Sequence, residues 1–189
     1  MASKRQPSTG ITAAEAIGAA LRAAHSNAWY LGFVSNTGVT CTILSETLAH
    51  GHDALMKPDG EAGQWVIEFF KHPPAPGWPE GNRRWWYRFR TVVVTSTGAT
   101  TLPDAEFHLN DALSPLDLVL VGWLDRARER ALHHVHAEFD LMSVKSTPQG
   151  MGAFLWEFDF YKLHRRDRSM SQEIVGHVTV RGDGSAVVA

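Results

Sequence analysis

Four arginines and four aromatic residues fill the stretch RRWWYRFR, Arg83 to Arg90. A guanidinium grips phosphate or carboxylate through two parallel donors, and an indole offers a flat face to a base or a ring. Strand periodicity divides the stretch. Trp85, Tyr87 and Phe89 take one face; Arg84, Trp86, Arg88 and Arg90 take the other, repeating about every 7 Å. The aromatic set reads as core packed against a helix. The cationic set has two classes of partner, carboxylates on neighbouring strands or an anion from outside. Glu68, Glu138, Asp140, Glu157 and Asp159 all stand in runs that alternate with large apolar residues. A cross-strand charge ladder is therefore expected, with binding of an anion or of single-stranded nucleic acid as its rival. Arg84, Trp86, Arg88 and Arg90, with Trp78 in a proline-rich connection, are the candidate partner contacts.

Other chemistry is weaker. His133, His134 and His136 end a helical run, and His50, His52 and Asp53 share a loop. A zinc site wants three or four ligands converging at about 2.0–2.3 Å, and histidines at a helix end more simply answer the negative end of its dipole. Neither HExxH nor GxSxG occurs, and no glycine-rich loop suited to phosphate follows a strand. Cys41, the single cysteine, sits in the alternating run GVTCTIL and reads as a small buried side chain. It excludes an internal disulfide and a cysteine-rich zinc site. Glu157 and Asp159 share a sheet face and read as ladder members rather than an acid–base pair. No catalytic residue, cofactor or metal is expected.

These residues must be held by an ordinary globular chain. The sequence has 189 residues with 44% hydrophobic and 20% charged, enough for one domain or two small ones. A net charge of −2 argues against a protein held to nucleic acid or an anionic membrane by bulk charge. The polar start MASKRQPSTG reads as a disordered tail over 1–10, with neither leader nor spanning segment, so a cytoplasmic setting is expected. Thr12 and Glu15 in TAAE form a capping box that opens a helix ending near His25 to Asn27, with Ile17 and Leu21 on one face. WYLGFV and GVTCTILSETL follow as strands about the turn SNTG. QWVIEFF is a strand that points Trp65, Ile67 and Phe69 one way. RRWWYRFRTVVVTSTGATTL is a long strand turning at Ser96 to Gly98.

A second helix is expected after Ser114 as N-cap and Pro115 at its first position, with Leu116, Leu120, Trp123, Leu124, Ala127 and Ala131 as its apolar stripe. HAEFDLMSVKS, GAFLWEFDFYKL and SQEIVGHVTVRGDGSAVV complete the chain as strands with a hairpin at GDG. The order helix–strands–helix–strands suggests an internal repeat. QWVIEFFKH lies on FLWEFDFYKLH, and TVVVTSTGATTL lies on HVTVRGDGSAVV.

ITAAEAIGAAL resembles the opening helix of PepSY-like domains, and the strands that follow, ending in a turn like RGDGSAVV, fit a PepSY-like or cystatin-like outline over 11–102 and 113–189. The resemblance implies an antiparallel sheet wrapped around one helix and a non-enzymatic binding or inhibitory module; PepSY domains are associated with peptidase regulation and are usually exported or membrane-attached. The expectation is thus an α+β protein of two helix-on-antiparallel-sheet units, 11–110 and 111–189. Its expected function is non-catalytic binding of a protein partner through a sheet face or edge strand, and self-association stays open. The alternative is a cone-shaped α+β fold with an apolar pocket, serving as a ligand carrier, an isomerase or a hydrolase.

Overall fold

The computed structural model describes residues 10–24, 29–37, 54–71, 85–109, 113–150, 153–166 and 169–188. The expected strand GVTCTILSETL, Cys41, the group of His50, His52 and Asp53, the proline-rich connection with Trp78, Arg84, and all but the last residue of the expected tail lie outside them.

Thr12 caps the first helix, α1 (Ala13–Ala23). The Glu15 N–H donates to the Thr12 hydroxyl at 3.4 Å, and the Thr12 N–H donates to the Glu15 carboxylate at 2.9 Å. Its buried face is Ala13, Ala16, Ile17 and Ala20. This i, i+3, i+4, i+7 row of mostly small residues leaves Leu21 on the flank and half exposed, contrary to the expected Ile17–Leu21 face. The strands β1 (Tyr30–Ser35), β2 (Gln64–Lys71), β3 (Trp85–Thr95), β4 (Gly98–Thr101) and β5 (Ala105–Leu109) follow.

The second helix differs from expectation. It is split into α2 (Leu118–Val121) and α3 (Leu124–His134). The cap is Asp117, whose carboxylate accepts from the Val119 N–H at 2.8 Å, so Ser114 and Pro115 lie ahead of the helix. Gly122 closes the first turn, its N–H donating to the Leu118 carbonyl at 3.0 Å, and Trp123 turns outward, exposed, beneath Arg126. The corner re-aims α3 so that Leu124, Ala127 and Ala131 are buried. The chain closes with β6 (Leu141–Gly150), β7 (Ala153–Arg166), β8 (Ser169–Arg181) and β9 (Val187–Val188).

All nine described strands join one antiparallel sheet in the order β4-β3-β2-β1-β6-β7-β8-β9, with β5 pairing the other end of β3. The fold is thus α+β. One apolar cluster runs from α1, Trp65, Ile67, Phe69, Val92 and Val94 across to α3, Phe154, Trp156, Phe158, Phe160 and Val180. At the seam, Ser35 and Lys145 are the register pair of β1 and β6. Buried side chains extend it. Asn36 accepts from the Val144 N–H at 2.8 Å and donates to the carbonyls of Ala54 and Met142 at 3.2 and 3.3 Å, while Ser146 accepts from the Val34 N–H at 2.9 Å. Asn36, expected as a turn residue, therefore continues the ladder, because a carboxamide presents the same donor and acceptor as a peptide group.

Candidate functional site

Burial separates the two ends of the sheet. Trp65, Ile67 and Phe69 of β2 share one face, as expected; that face meets α1, and the three pair with Val94, Val92 and Arg90 of β3. Tyr87 and Phe89 are fully buried, but on the opposite face, clustered with Phe33 and Phe70. The Tyr87 hydroxyl accepts from the Leu113 N–H at 2.7 Å, and burial raises its pKa against the opposing pull of that bond. Tyr87 and Phe89 are core as expected, yet the helix covers the face of Arg90. Alternation fixes which residues share a face, and it is silent on which face a helix will choose.

The arginines find a different partner from those expected. Arg90 sends Nε and Nη2 to the two carboxylate oxygens of Asp104 at 2.8 and 3.0 Å. Its Nη1 donates at 2.8 Å to the Ala24 carbonyl, the C-cap of α1, and its guanidinium lies 4.4 Å from the centre of the Trp29 ring. The bond from Arg90 holds the Asp104 carboxyl below its usual range, helped by the charges of Arg90, Arg88 and Lys71. Arg88 reaches Asp104 at 3.3 Å and is 45% exposed, against 24% for Arg90. In register Arg88 stands between Lys71 and Glu106. Trp86 of β3 stands opposite His108 of β5. Glu68 pairs with Thr91, while Glu157 and Asp159 are separated from β3 by β2, β1 and β6. The ladder partners of the arginines are thus the local carboxylates of the β4–β5 segment. Asp104, in the loop LPDAE, carried the weak signal of an acidic residue following a proline.

Glu157 and Asp159, expected to meet the arginines, form their own ladder on the open face of β6–β8. Glu157 pairs with Lys145 at 2.7 Å and accepts from the Thr147 hydroxyl at 2.8 Å; burial opposes its ionisation, yet these two partners hold its pKa low. Asp159 meets His177 Nδ1 at 2.7 Å, and His177 Nε2 lies 3.1 Å from the Thr179 hydroxyl. Hydroxyl, imidazole and carboxylate stand in the order that activates a nucleophile. They lie on a pleated face with the imidazole exposed, so their effect is to tie β8 to β7. His133 and His134 occupy the last turn of α3. Among the described residues no three His, Cys, Asp or Glu side chains are grouped to hold a metal ion, and no helix is long and apolar enough to cross a membrane.

The unpartnered part of the fold is the far end of β7 and β8. Beyond Tyr161, β7 leaves β6 behind, and the Asp140 carboxylate takes the Leu163 N–H at 2.8 Å, a bond that lowers its own pKa. Lys162 to Arg166 pair only with Glu173 to Ser169, as a two-stranded ribbon. A bulge between Phe160 and Tyr161, with Val175 as the extra residue on β8, separates this ribbon from the body of the sheet. On the outer side β9 covers only Thr179 and Val180. Among the described residues, β8 from Ser169 to Ile174 therefore has a free edge of about 20 Å. Met170 is 50% exposed and Ile174 59% exposed. In register they stand opposite Arg165 and Tyr161, and Arg165 has no ion-pair partner among the described residues. An edge strand was expected as a contact, but its position was not read, since pairing of β8 with the short β9 depends on where the last hairpin folds back.

Comparison of the chain with protein-family models, with curated proteins and with solved structures finds no match.

Proposed function

We propose that the protein is a non-catalytic binding module whose partner adds an extended, antiparallel strand to the free edge of β8. The observation that carries this reading is the unequal cover of two corresponding strands. The sheet order is symmetric about the β1–β6 seam, which supports an internal repeat with β2 matching β7 and β3 matching β8. With Thr91 set on His177, as the closing hairpins require, Trp85–Phe89 falls on Ser171–Val175. β5 covers the first stretch by five register pairs, and no described strand covers the second. An incoming segment would take on β8 the place that β5 takes on β3. β5 reads Ala-Glu-Phe-His-Leu, apolar at every second residue, with Glu106 opposite Arg88. The segment that suits β8 shares the alternation, with apolar side chains against Met170 and Ile174, and ends that same row in a carboxylate beside Met170, because Arg165 of β7 stands on the face of Met170 and Ile174. A helix laid on an antiparallel sheet is compatible with the PepSY-like or cystatin-like resemblance and its binding role.

The test pans a displayed library of random twelve-residue peptides against the full chain and follows amide hydrogen exchange with the peptides selected. Enrichment of peptides apolar at alternate positions with an acidic residue ending the apolar row, slowed exchange confined to Ser169–Ile174, and loss of capture in Met170→Lys/Ile174→Lys support the reading. Selected peptides that leave those amides unchanged overturn it. So does a protein already dimeric with those amides protected, since a second copy would then fill the edge.

A further inference from the structure

A cleft of about 110 Å³ opens between the first turns of α1 and the corner joining α2 to α3. Ala13, Ile17, Met56, Val121 and Leu124 give it apolar walls, and one cation, Arg128, stands in it. That cation is poorly answered for its burial. The Arg128 side chain is 14% exposed, and its nearest carboxylate, Asp125, lies 3.4 Å from Nη1 and is 81% exposed. The Nε–H is shut off from solvent and has no hydrogen-bond partner among the described residues. A solvated i, i+3 pair of this kind contributes little, while a buried donor left without an acceptor is costly.

Arg128 lies against the KPDG turn. A Cβ built on Gly60 would lie 1.5 Å from Nη1 of Arg128, so the guanidinium occupies the space that a side chain at Gly60 would need. Gly60 also has a φ of 94°, which a glycine adopts without strain. The KPDG turn thus leaves room for the guanidinium. The Thr12 donors are not part of the offer, because the Glu15 carboxylate already takes the Thr12 N–H and hydroxyl.

The geometry points to a binding site for a small organic monocarboxylate, its carboxylate on Arg128 and its apolar body against Ile17, Met56 and Leu124. One guanidinium presents paired donors that match one carboxylate. A multiply charged, strongly hydrated anion such as phosphate needs more donors than these walls contain. The volume is somewhat below that of a cavity that accepts benzene, so a body of about three to five carbons fits.

The test records amide chemical shifts of the full chain during titration with butyrate, with butyramide of the same shape and no charge, and with inorganic phosphate. Butyrate should shift Gly60 and Val121 to Arg128 saturably. Butyramide should bind about tenfold more weakly or not at all, and Arg128→Gln should lose butyrate binding by about tenfold or more. Ala14→Leu, at an exposed position lining the cleft, keeps the helix and should block the site even if Arg128→Gln folds poorly. Equal affinity for the amide, a response to phosphate alone, unsaturable shifts, or butyrate binding that persists in Ala14→Leu overturns the assignment.

Discussion

The two ends of the sheet use similar strand sequences in opposite ways. β2 and β3 are buried on both faces: Ile67 and Val92 lie under α1, and Phe70, Tyr87 and Phe89 pack behind them. β7 buries one face only, Phe154, Trp156, Phe158 and Phe160, and keeps Leu155, Glu157, Asp159 and Tyr161 partly in water. The outer strand of the first end is paired along most of its length by β4 and β5, while its counterpart β8 is paired by β9 at two residues. A doubly buried strand has apolar residues at successive positions and contributes stability; a singly buried one alternates and leaves a face and an edge for other molecules. The first end builds the scaffold, and the second presents a surface.

That contrast can be broken most sharply by truncating a side chain on the non-helix face of each end. Phe89→Ala should cost about 3–5 kcal/mol in urea unfolding, because it opens a cavity where the sheet is closed. Thr179→Ala, on the open face of β8, should cost less than about 1 kcal/mol. Equal losses would mean that both ends are alike in burial.

At the seam between the ends, Asn36→Ala should cost about 2–3 kcal/mol, since it leaves the Val144 N–H and two carbonyls without their bonds. A cost well below that would show the ends to be coupled through the apolar core alone. Asp104→Asn should cost about 1–2 kcal/mol at neutral pH. Because the folded state lowers the pKa of Asp104, its contribution is present above the unfolded value of about 4 and is lost as pH falls through the lower folded value. The gap between wild type and Asp104→Asn should therefore narrow on acidification below about pH 4, by thermal unfolding at several pH values. The smallest effect belongs to the open ladder. A double-mutant cycle on Lys145 and Glu157 should give a coupling of about 0.2–1 kcal/mol that fades with salt, since Lys145 is more than half exposed.

Local chemistry was legible. Thr12 and Glu15 are three residues apart, and their reciprocal bonds need nothing beyond the first turn of a helix. The strands of Gln64–Lys71, Trp85–Thr95 and Ala153–Arg166 were visible as alternating or apolar runs. The candidate site was legible only as a kind of contact, an edge strand, and not as a place. β5 was missed because Glu106 and His108 interrupt a run of five residues that follows a proline. The break at Gly122 was missed because a continuous apolar stripe through Trp123 reads as one helix.

By itself the sequence determined the α+β class, the helix cap, the strand periodicity and the sorting of residues onto alternate faces, all of which depend on neighbours within a few positions. Only the tertiary structure decided that α1 covers the face of Arg90, that Asp104 rather than Glu157 answers Arg90, that Asn36 stitches the seam, and that Ser169–Ile174 is left uncovered. Those outcomes depend on which distant segments lie side by side. Strand order and register set them, and in an antiparallel sheet many registers satisfy the same period of two until the whole core closes.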